Sequence, residues 1–183
     1  MPLHAGRPVT ATPHTPAPAP PGAGAGALRI RVFGTPAPQG SKHAFAARGK
    51  GGVPTGRIGV IESGHDRVKS WRADVVNAAF GAMAAAGQPP AALSGPVSLS
   101  VSFYLRRPKD HFGRGANSAV LRPAAPRVPG AAPDLSKLIR STEDALTSAG
   151  VWGDDGQVAA VTACKLYATP GELPGADIII GAL

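Results

Sequence analysis

The segment from Pro133 to Lys165 constrains the fold most, because it predicts a helix, a turn and a strand in immediate succession. Its apolar residues recur at helical spacing and form one stripe: Leu135, Leu138, Ile139 and Leu146, with Thr142 and Ala145 among them. Gly150 stands where a helix would need a left-handed stop. The run from Gly153 to Gly156 is typical of a tight turn, and residues 157–167 predict a strand.

The helix in this segment is expected to pack on the strand that follows it. That packing would bring Asp134, or the exposed face of the helix, within reach of Asp155. Carboxylates that are far apart in sequence but converge in space are what a hard divalent cation requires. The segment therefore predicts a metal site at this place in the fold.

The pattern PD-x-x-KL-x-R-x-x-x-DAL-x-x-AGVW-x-DD-x-QV, with Lys165 seven residues after Val158, resembles the signature of RusA-type Holliday junction resolvases. The likeness runs without a gap over roughly 33 of 183 residues. Upstream, residues 104–109 resemble the basic segment that the family carries before its acidic motif. The resemblance is weaker before residue 97 and absent before residue 28.

The resemblance implies a small homodimeric, Mg²⁺-dependent endonuclease that cuts four-way DNA junctions, with Mn²⁺ as an alternative working ion. Asp134 and Asp155 then stand at two of the family's essential acidic positions, and Arg140 stands where the family has an essential lysine. The family's second acidic position is occupied here by Ser136. We expect Glu143, on the same helix face, or else Asp154, to replace the missing carboxylate in part.

Each acidic residue also has a structural interpretation. Asp134 follows a proline and could cap the helix, and Asp154 and Asp155 could be ordinary turn residues. Asp144 is expected to be a structural partner of Arg140 or Lys137 rather than a metal ligand.

Charge is unevenly distributed along the chain. The net charge is +8, and residues 1–127 hold 16 of the 19 Lys and Arg residues but four of the 11 acidic residues. Such a basic region, followed by a small acidic cluster, favours a protein that binds DNA and holds cations at one point, although charge alone also fits a solvated basic surface. The candidate DNA contacts are Lys42, Arg106, Arg107, Lys109, Lys137 and Lys165; the last two could brace the carboxylates instead.

The remaining sequence predicts an α+β fold, a small mixed β-sheet with two helices packed on one face. Residues 1–27 are rich in Pro, Ala and Gly and predict a disordered tail, so the nuclease domain is expected to span residues 28–183. Strands are predicted at 28–33, 57–62, 97–105 and 176–180, the last beside the strand at 157–167. A helix is predicted at 66–86, with a buried face made of Val68, Trp71, Val75, Ala79, Phe80 and Met83.

Two long connections separate these elements. Residues 34–56 predict a basic loop that follows the DNA backbone, with Gln39, Ser41 and Lys42 as phosphate contacts; the alternative is a surface insertion without function. Residues 106–133 predict an irregular, basic connection.

Cysteine content and hydropathy indicate the cellular compartment of the protein. The single cysteine, Cys164, excludes an internal disulfide and a zinc site, and its strand position predicts a small buried hydrophobic residue. No apolar run approaches the ~20 residues of a membrane span, and the N-terminus lacks the order of a signal peptide. We therefore expect a cytoplasmic protein without membrane contact.

Two other functions stay open at this point. Ser136 could mark a decayed site in a junction-binding protein without catalysis, in which case metal-dependent nicking would be absent. Alternatively, the basic region could serve a structural protein that binds nucleic acid nonspecifically, with steep salt dependence but no preference for junctions.

Overall fold

A computed structural model describes residues 26–40, 42–62, 64–89 and 93–183, without the side chains of residues 42, 43 and 60–62. The predicted disordered tail lies outside the described residues except for its last two positions, and Ser41 and the side chain of Lys42 also lie outside them. In chain order the elements are β1 (Leu28–Phe33), β2 (Lys42–Arg48), β3 (Pro54–Glu62), α1 (His65–Ala85), β4 (Val97–Leu105), α2 (Leu135–Ser148), β5 (Val158–Tyr167) and β6 (Gly175–Ala182).

The main sheet has four strands in the order β1-β6-β4-β5, and it is mixed because β4 and β5 are parallel while the other neighbours are antiparallel. Leu99, Val101 and Phe103 of β4 are fully buried in the core, as their spacing at every second position predicts. The prediction of a half-buried strand is wrong, because Ser98, Ser100 and Ser102 on the other face of β4 are buried too. The two helices also pack on each other. The predicted α+β class, with two helices on a small mixed sheet, is confirmed.

The predicted pairing of the last strand beside residues 157–167 is wrong, because β6 lies between β1 and β4. Ile178 and Ile180 of β6 are at most 1% exposed, and a central position is what covers such side chains completely. The parallel β4–β5 pair needs a crossover connection, which the segment containing α2 provides.

A hairpin occupies much of the predicted loop at 34–56. Strands β2 and β3 pair as a separate two-stranded sheet with Ala46 opposite Ile58 and a register shift before Arg48. The β2 sequence KHAFAAR contains no β-branched residue, so strand propensity gave little signal there. Ile58 is 77% exposed, which shows that this face of the hairpin is not covered by the rest of the described structure.

Helix α1 buries most of the predicted face. Val68, Trp71, Val75, Ala79 and Met83 are buried, and the assignment of Trp71 to the core is confirmed. The prediction for Phe80 is wrong, because its side chain is 48% exposed. The reason is angular: Phe80 follows the buried Ala79 and lies about 100° further round the helix.

Cys164 is only partly buried, which corrects its prediction as a core residue. Its Sγ lies 3.6 Å from Ser102 Oγ on the sheet face opposite the helices. No helix in the described ranges is long and apolar enough to cross a membrane.

Buried contacts fix α2 on the body of the fold. Trp71 Nε1 of α1 donates to Thr142 Oγ1 at 3.2 Å, and Thr142 Oγ1 donates to the Leu138 carbonyl at 2.9 Å. The helix ends at Ser148, and Gly150 adopts φ 70°, the left-handed stop that the sequence predicts. The opposite face of α2 is thereby held towards the turn that precedes β5.

Candidate active site

The N-terminus of α2 presents Asp134 to solvent. Asp134 is the N-cap residue by backbone geometry, but its side chain makes no capping hydrogen bond. Instead its Oδ2 lies 3.6 Å from Nζ of Lys137, and the carboxylate is 62% exposed. Capping therefore does not explain this acid, and its oxygens stay accessible to a cation or to water.

Lys165 reaches from β5 to the segment just before Asp134. Its Nζ donates to the carbonyl of Ala131 at 2.8 Å and to the carbonyl of Pro133 at 2.9 Å. The sequence left open whether Lys165 contacts DNA or braces the site. In this structure its ammonium group binds protein carbonyls.

The turn before β5 separates the roles of its two aspartates. Asp154 Oδ1 accepts from the Gly156 amide at 2.7 Å and, with Gln157, forms a capping box. Gln157 accepts from the Gly153 and Asp154 amides and donates to the Gly95 carbonyl at 2.9 Å, which ties the turn to the start of β4. Asp155 is exposed at the start of a 3-10 turn (Asp155–Gln157). The side chain of Asp154 therefore caps the turn, whereas that of Asp155 has no hydrogen-bond or ion-pair partner in the described structure.

The pKa of Glu143 on α2 is affected by the charge of this turn. Burial raises the pKa of the Glu143 carboxyl above its ordinary value, and the negative charges of Asp155 and Asp144 raise it further, while Arg140 opposes the shift. The helix and the 3-10 turn thus bring Glu143, Asp155 and Arg140 into one electrostatic neighbourhood. A carboxylate whose ionisation is disfavoured by its neighbours gains most from a bound cation.

Asp144 has a structural partner, as predicted, but the partner is Arg72 of α1 rather than Arg140 or Lys137. Its Oδ2 accepts from Arg72 Nη2 and, at 3.3 Å, from Gln39 Nε2. Gln39 also donates its backbone amide to the Lys137 carbonyl at 3.0 Å. The predicted phosphate contact Gln39 is therefore part of the scaffold beside α2. Because Arg72 and Gln39 are 72 and 105 residues from Asp144, the sequence carried no local signal for this network.

The predicted DNA contacts differ in what they do in the free protein. Arg106, Lys109 and Lys137 are exposed. Arg107 stacks over the Tyr167 ring at 4.1 Å and donates to the Pro126 carbonyl at 2.8 Å, so it holds the irregular connection 106–133 against β5. For Lys42, the described structure covers the backbone alone.

The acidic residues of α2 and of the turn before β5 offer only oxygen donors, and they do not form a closed cage. No group of three His, Cys, Asp or Glu side chains that could hold a metal occurs among the described residues. The seven positions from Ser136 to Glu143 span about 10 Å of helix, so Glu143 can assist Asp155 but does not replace an acid at Ser136. Mg²⁺ usually keeps several waters and takes one or two carboxylates together with substrate phosphates. The oxygen-only donor set and the raised pKa of Glu143 are consistent with that mode.

Comparison with known proteins identifies the family of the chain. The model of the family Endodeoxyribonuclease RusA matches residues 51–180, which is 130 of the 183 residues. The match includes every candidate residue discussed above except Gln39, Ser41 and Lys42, and it extends upstream into the hairpin. No curated protein matched the chain. The chain therefore belongs to the RusA family of endodeoxyribonucleases.

Proposed function

We propose that this protein is a divalent-metal-dependent endonuclease that resolves four-way DNA junctions by paired phosphodiester cleavage. The observation that carries the proposal is the neighbourhood of Glu143, Asp155 and Arg140, where clustered negative charge meets an exposed cationic side chain. Family membership supplies the reaction class. The acidic residues can bind a cation, and Arg140 can bind a phosphate.

Asp134 and Asp155 are the residues proposed to hold the ion, with Mg²⁺ as the expected species and Mn²⁺ as the alternative. Glu143 supports Asp155 in this role, whereas Asp154 is the weaker candidate because one of its oxygens caps the turn. When bound, the ion supplies Lewis acidity, water activation and orientation of the scissile phosphate.

Arg140 is proposed to stabilise the charge that develops on the scissile phosphate. Its side chain is exposed on α2, and it lies close enough to Glu143 to lower that residue's pKa. A guanidinium group donates to two phosphate oxygens at once, which a lysine cannot do in the same geometry. Donors aimed at developing charge are the usual source of large rate effects in phosphoryl chemistry.

The DNA is proposed to lie across the exposed basic residues Arg106, Lys109 and Lys137, with Lys42 and the β2–β3 hairpin as a further contact. Arg48, Lys50 and Arg57 on the hairpin are exposed, and a two-stranded ribbon has the width of the major groove. Contacts of this kind fix the position of the phosphates without reading sequence. A homodimer is proposed because a junction needs two symmetric nicks, which two sites related by a two-fold axis provide.

One specific observation favours a second function, a junction-binding protein with weak or no catalysis. Ser136 replaces an acidic residue of the family motif, and the described residues contain no three-carboxylate group. Under this alternative the basic surface is intact and only metal-dependent chemistry is lost.

The test is a cleavage assay with a labelled four-way junction and a matched duplex, in Mg²⁺, Mn²⁺ and EDTA. Asp155→Asn is compared with Glu172→Gln, which makes the same change of charge at an exposed acid in the β5–β6 connection. We expect symmetric nicks in the junction alone, lost in EDTA and in Asp155→Asn but kept in Glu172→Gln. Tight junction binding without nicks in either metal would refute the nuclease and support the binding protein.

A further inference from the structure

Lys165 makes the hydrogen bonds that tie the approach to Asp134 to the sheet. It stands on β5 opposite Phe103 of β4, on the sheet face that carries the helices. Its Nζ bonds to the carbonyls of Ala131 and Pro133, and the second of these belongs to the peptide that ends at the Asp134 nitrogen. Within the described structure, residues 127–133 make no other hydrogen bond. Lys165 therefore controls where this segment, and the acid after it, lies relative to β5.

We propose that Lys165 is a positioning residue that fixes Asp134 for metal binding, and that it does not contact DNA. The effect expected on cleavage rests on the proposed function, whereas the effect expected on metal binding does not. An ammonium group has three N–H donors, and two of them are used by carbonyls at 2.8 and 2.9 Å. The two bonds direct the ammonium group towards residues 131–133 and leave it one donor.

The helix holds the backbone of Asp134 from one side, because its carbonyl accepts from the Leu138 amide at 3.1 Å. Its side chain makes no capping hydrogen bond, so the helix start does not fix the carboxylate. Its other neighbour, Lys137, lies at 3.6 Å on an exposed surface, where an ion pair gives little orientation. The two bonds from Lys165 thus constrain the backbone on the side of Asp134 that the helix does not hold.

Supporting residues of metal ligands typically change metal affinity or activity by about 10–100-fold when they are removed. Lys165→Met keeps the aliphatic stem and removes both hydrogen bonds. We expect it to weaken Mn²⁺ affinity and to raise the Mg²⁺ concentration for half-maximal nicking by a factor in that range. Lys165→Arg keeps a charge and two donors, and we expect it to recover much of the loss.

The matched control is Lys109→Met, because Lys109 is exposed and is a proposed DNA contact. Removing a phosphate contact lowers the slope of log affinity against log salt by about one. We expect that change in Lys109→Met, with unaltered Mn²⁺ affinity. In Lys165→Met we expect the reverse: an unchanged slope for junction binding in EDTA and weakened Mn²⁺ binding by calorimetry without DNA. A lowered slope with wild-type Mn²⁺ affinity would overturn the proposal.

Reductive methylation of the wild-type protein tests the same point if Lys165→Met does not fold. Bound to two carbonyls, Lys165 should react more slowly than Lys109, and adding an uncleaved junction should protect Lys109 only. Protection of Lys165 by the junction would refute its positioning role. A wild-type protein that binds Mn²⁺ but cuts no junction would refute the proposed function and leave Lys165 in place. No Mn²⁺ binding by the wild type would refute both.

Discussion

The buried hydrogen bond between Trp71 and Thr142 couples α1 to the helix that carries the site, and its removal has a predictable effect on stability. Both side chains are fully buried, and the bond joins Nε1 to Oγ1 at 3.2 Å. Thr142→Val keeps the shape of the side chain but leaves the indole N–H without an acceptor. A buried donor left unsatisfied costs about 1–3 kcal/mol. For a chain of 183 residues, that corresponds to a fall in Tm of about 2–12 °C.

A double-mutant cycle with Trp71→Phe isolates this interaction from the change in packing. In the Trp71→Phe background there is no indole donor, so Thr142→Val no longer leaves a group unpaired. We therefore expect the substitution to cost less there than in the wild type, with a coupling of at least about 0.5 kcal/mol. Urea unfolding of the four proteins gives the free energies, provided that their m-values agree. Equal costs of Thr142→Val in both backgrounds would refute the role assigned to the hydrogen bond.

Three further predictions concern the site and the hairpin. Ser136→Asp restores the family's second acid in the first turn of α2 and should tighten Mn²⁺ binding about thirtyfold by calorimetry. The reason is that a unit charge at 4 Å from a divalent ion contributes roughly 2 kcal/mol even in water. Ser70→Asp on α1 should have no such effect. The pKa of Glu143 is raised above its ordinary 4.5, so its ionisation opposes folding as the pH rises through and above that value. Glu143→Gln should therefore raise the Tm at neutral pH and lose this advantage in acid; a gain that is independent of pH would contradict the shift. Arg57→Ala on the hairpin should lower the salt slope of junction binding by about one, whereas an unchanged slope would exclude Arg57 from the interface.

The sequence predicted α2 and β4 well because their signals are local. An apolar residue every three or four positions, or every second position, indicates which face packs in the core. The alternation in β4 did not indicate that its serine face is buried as well. The Gly150 stop belongs to the same class, since a left-handed φ is a property of one residue. Strand β3 was predicted over residues 57–62, but its partner β2 was missed for the converse reason. β2 contains alanine where a strand usually has branched side chains, so cross-strand pairing rather than propensity sets its structure.

The partners of the site residues could not be predicted, because they depend on contacts between distant parts of the chain. Lys165 binds carbonyls 32 and 34 residues away, and Asp144 pairs with a residue in another helix. A motif fixes the spacing of such residues along the chain but does not state what each one touches. The order of the strands could not be predicted for the same reason. The position of β6 follows from how completely its isoleucines are covered and not from its neighbour in sequence.

Ser136 is exposed, so a change at this position can alter metal affinity without altering the stability of the fold. Leu138 and Thr142 hold α2 in the core, while residue 136 faces solvent in the first turn, so an acid can be lost there without any change in packing. The basic surface that is proposed to bind DNA does not depend on that acid either. A missing carboxylate then acts on metal affinity alone, and a chain with two strong ligands would need more Mg²⁺ rather than lose its chemistry. The dependence of nicking on Mg²⁺ concentration, more than nicking at a single concentration, is therefore the quantity that separates a resolvase with a weak metal site from a protein that binds junctions without cutting them.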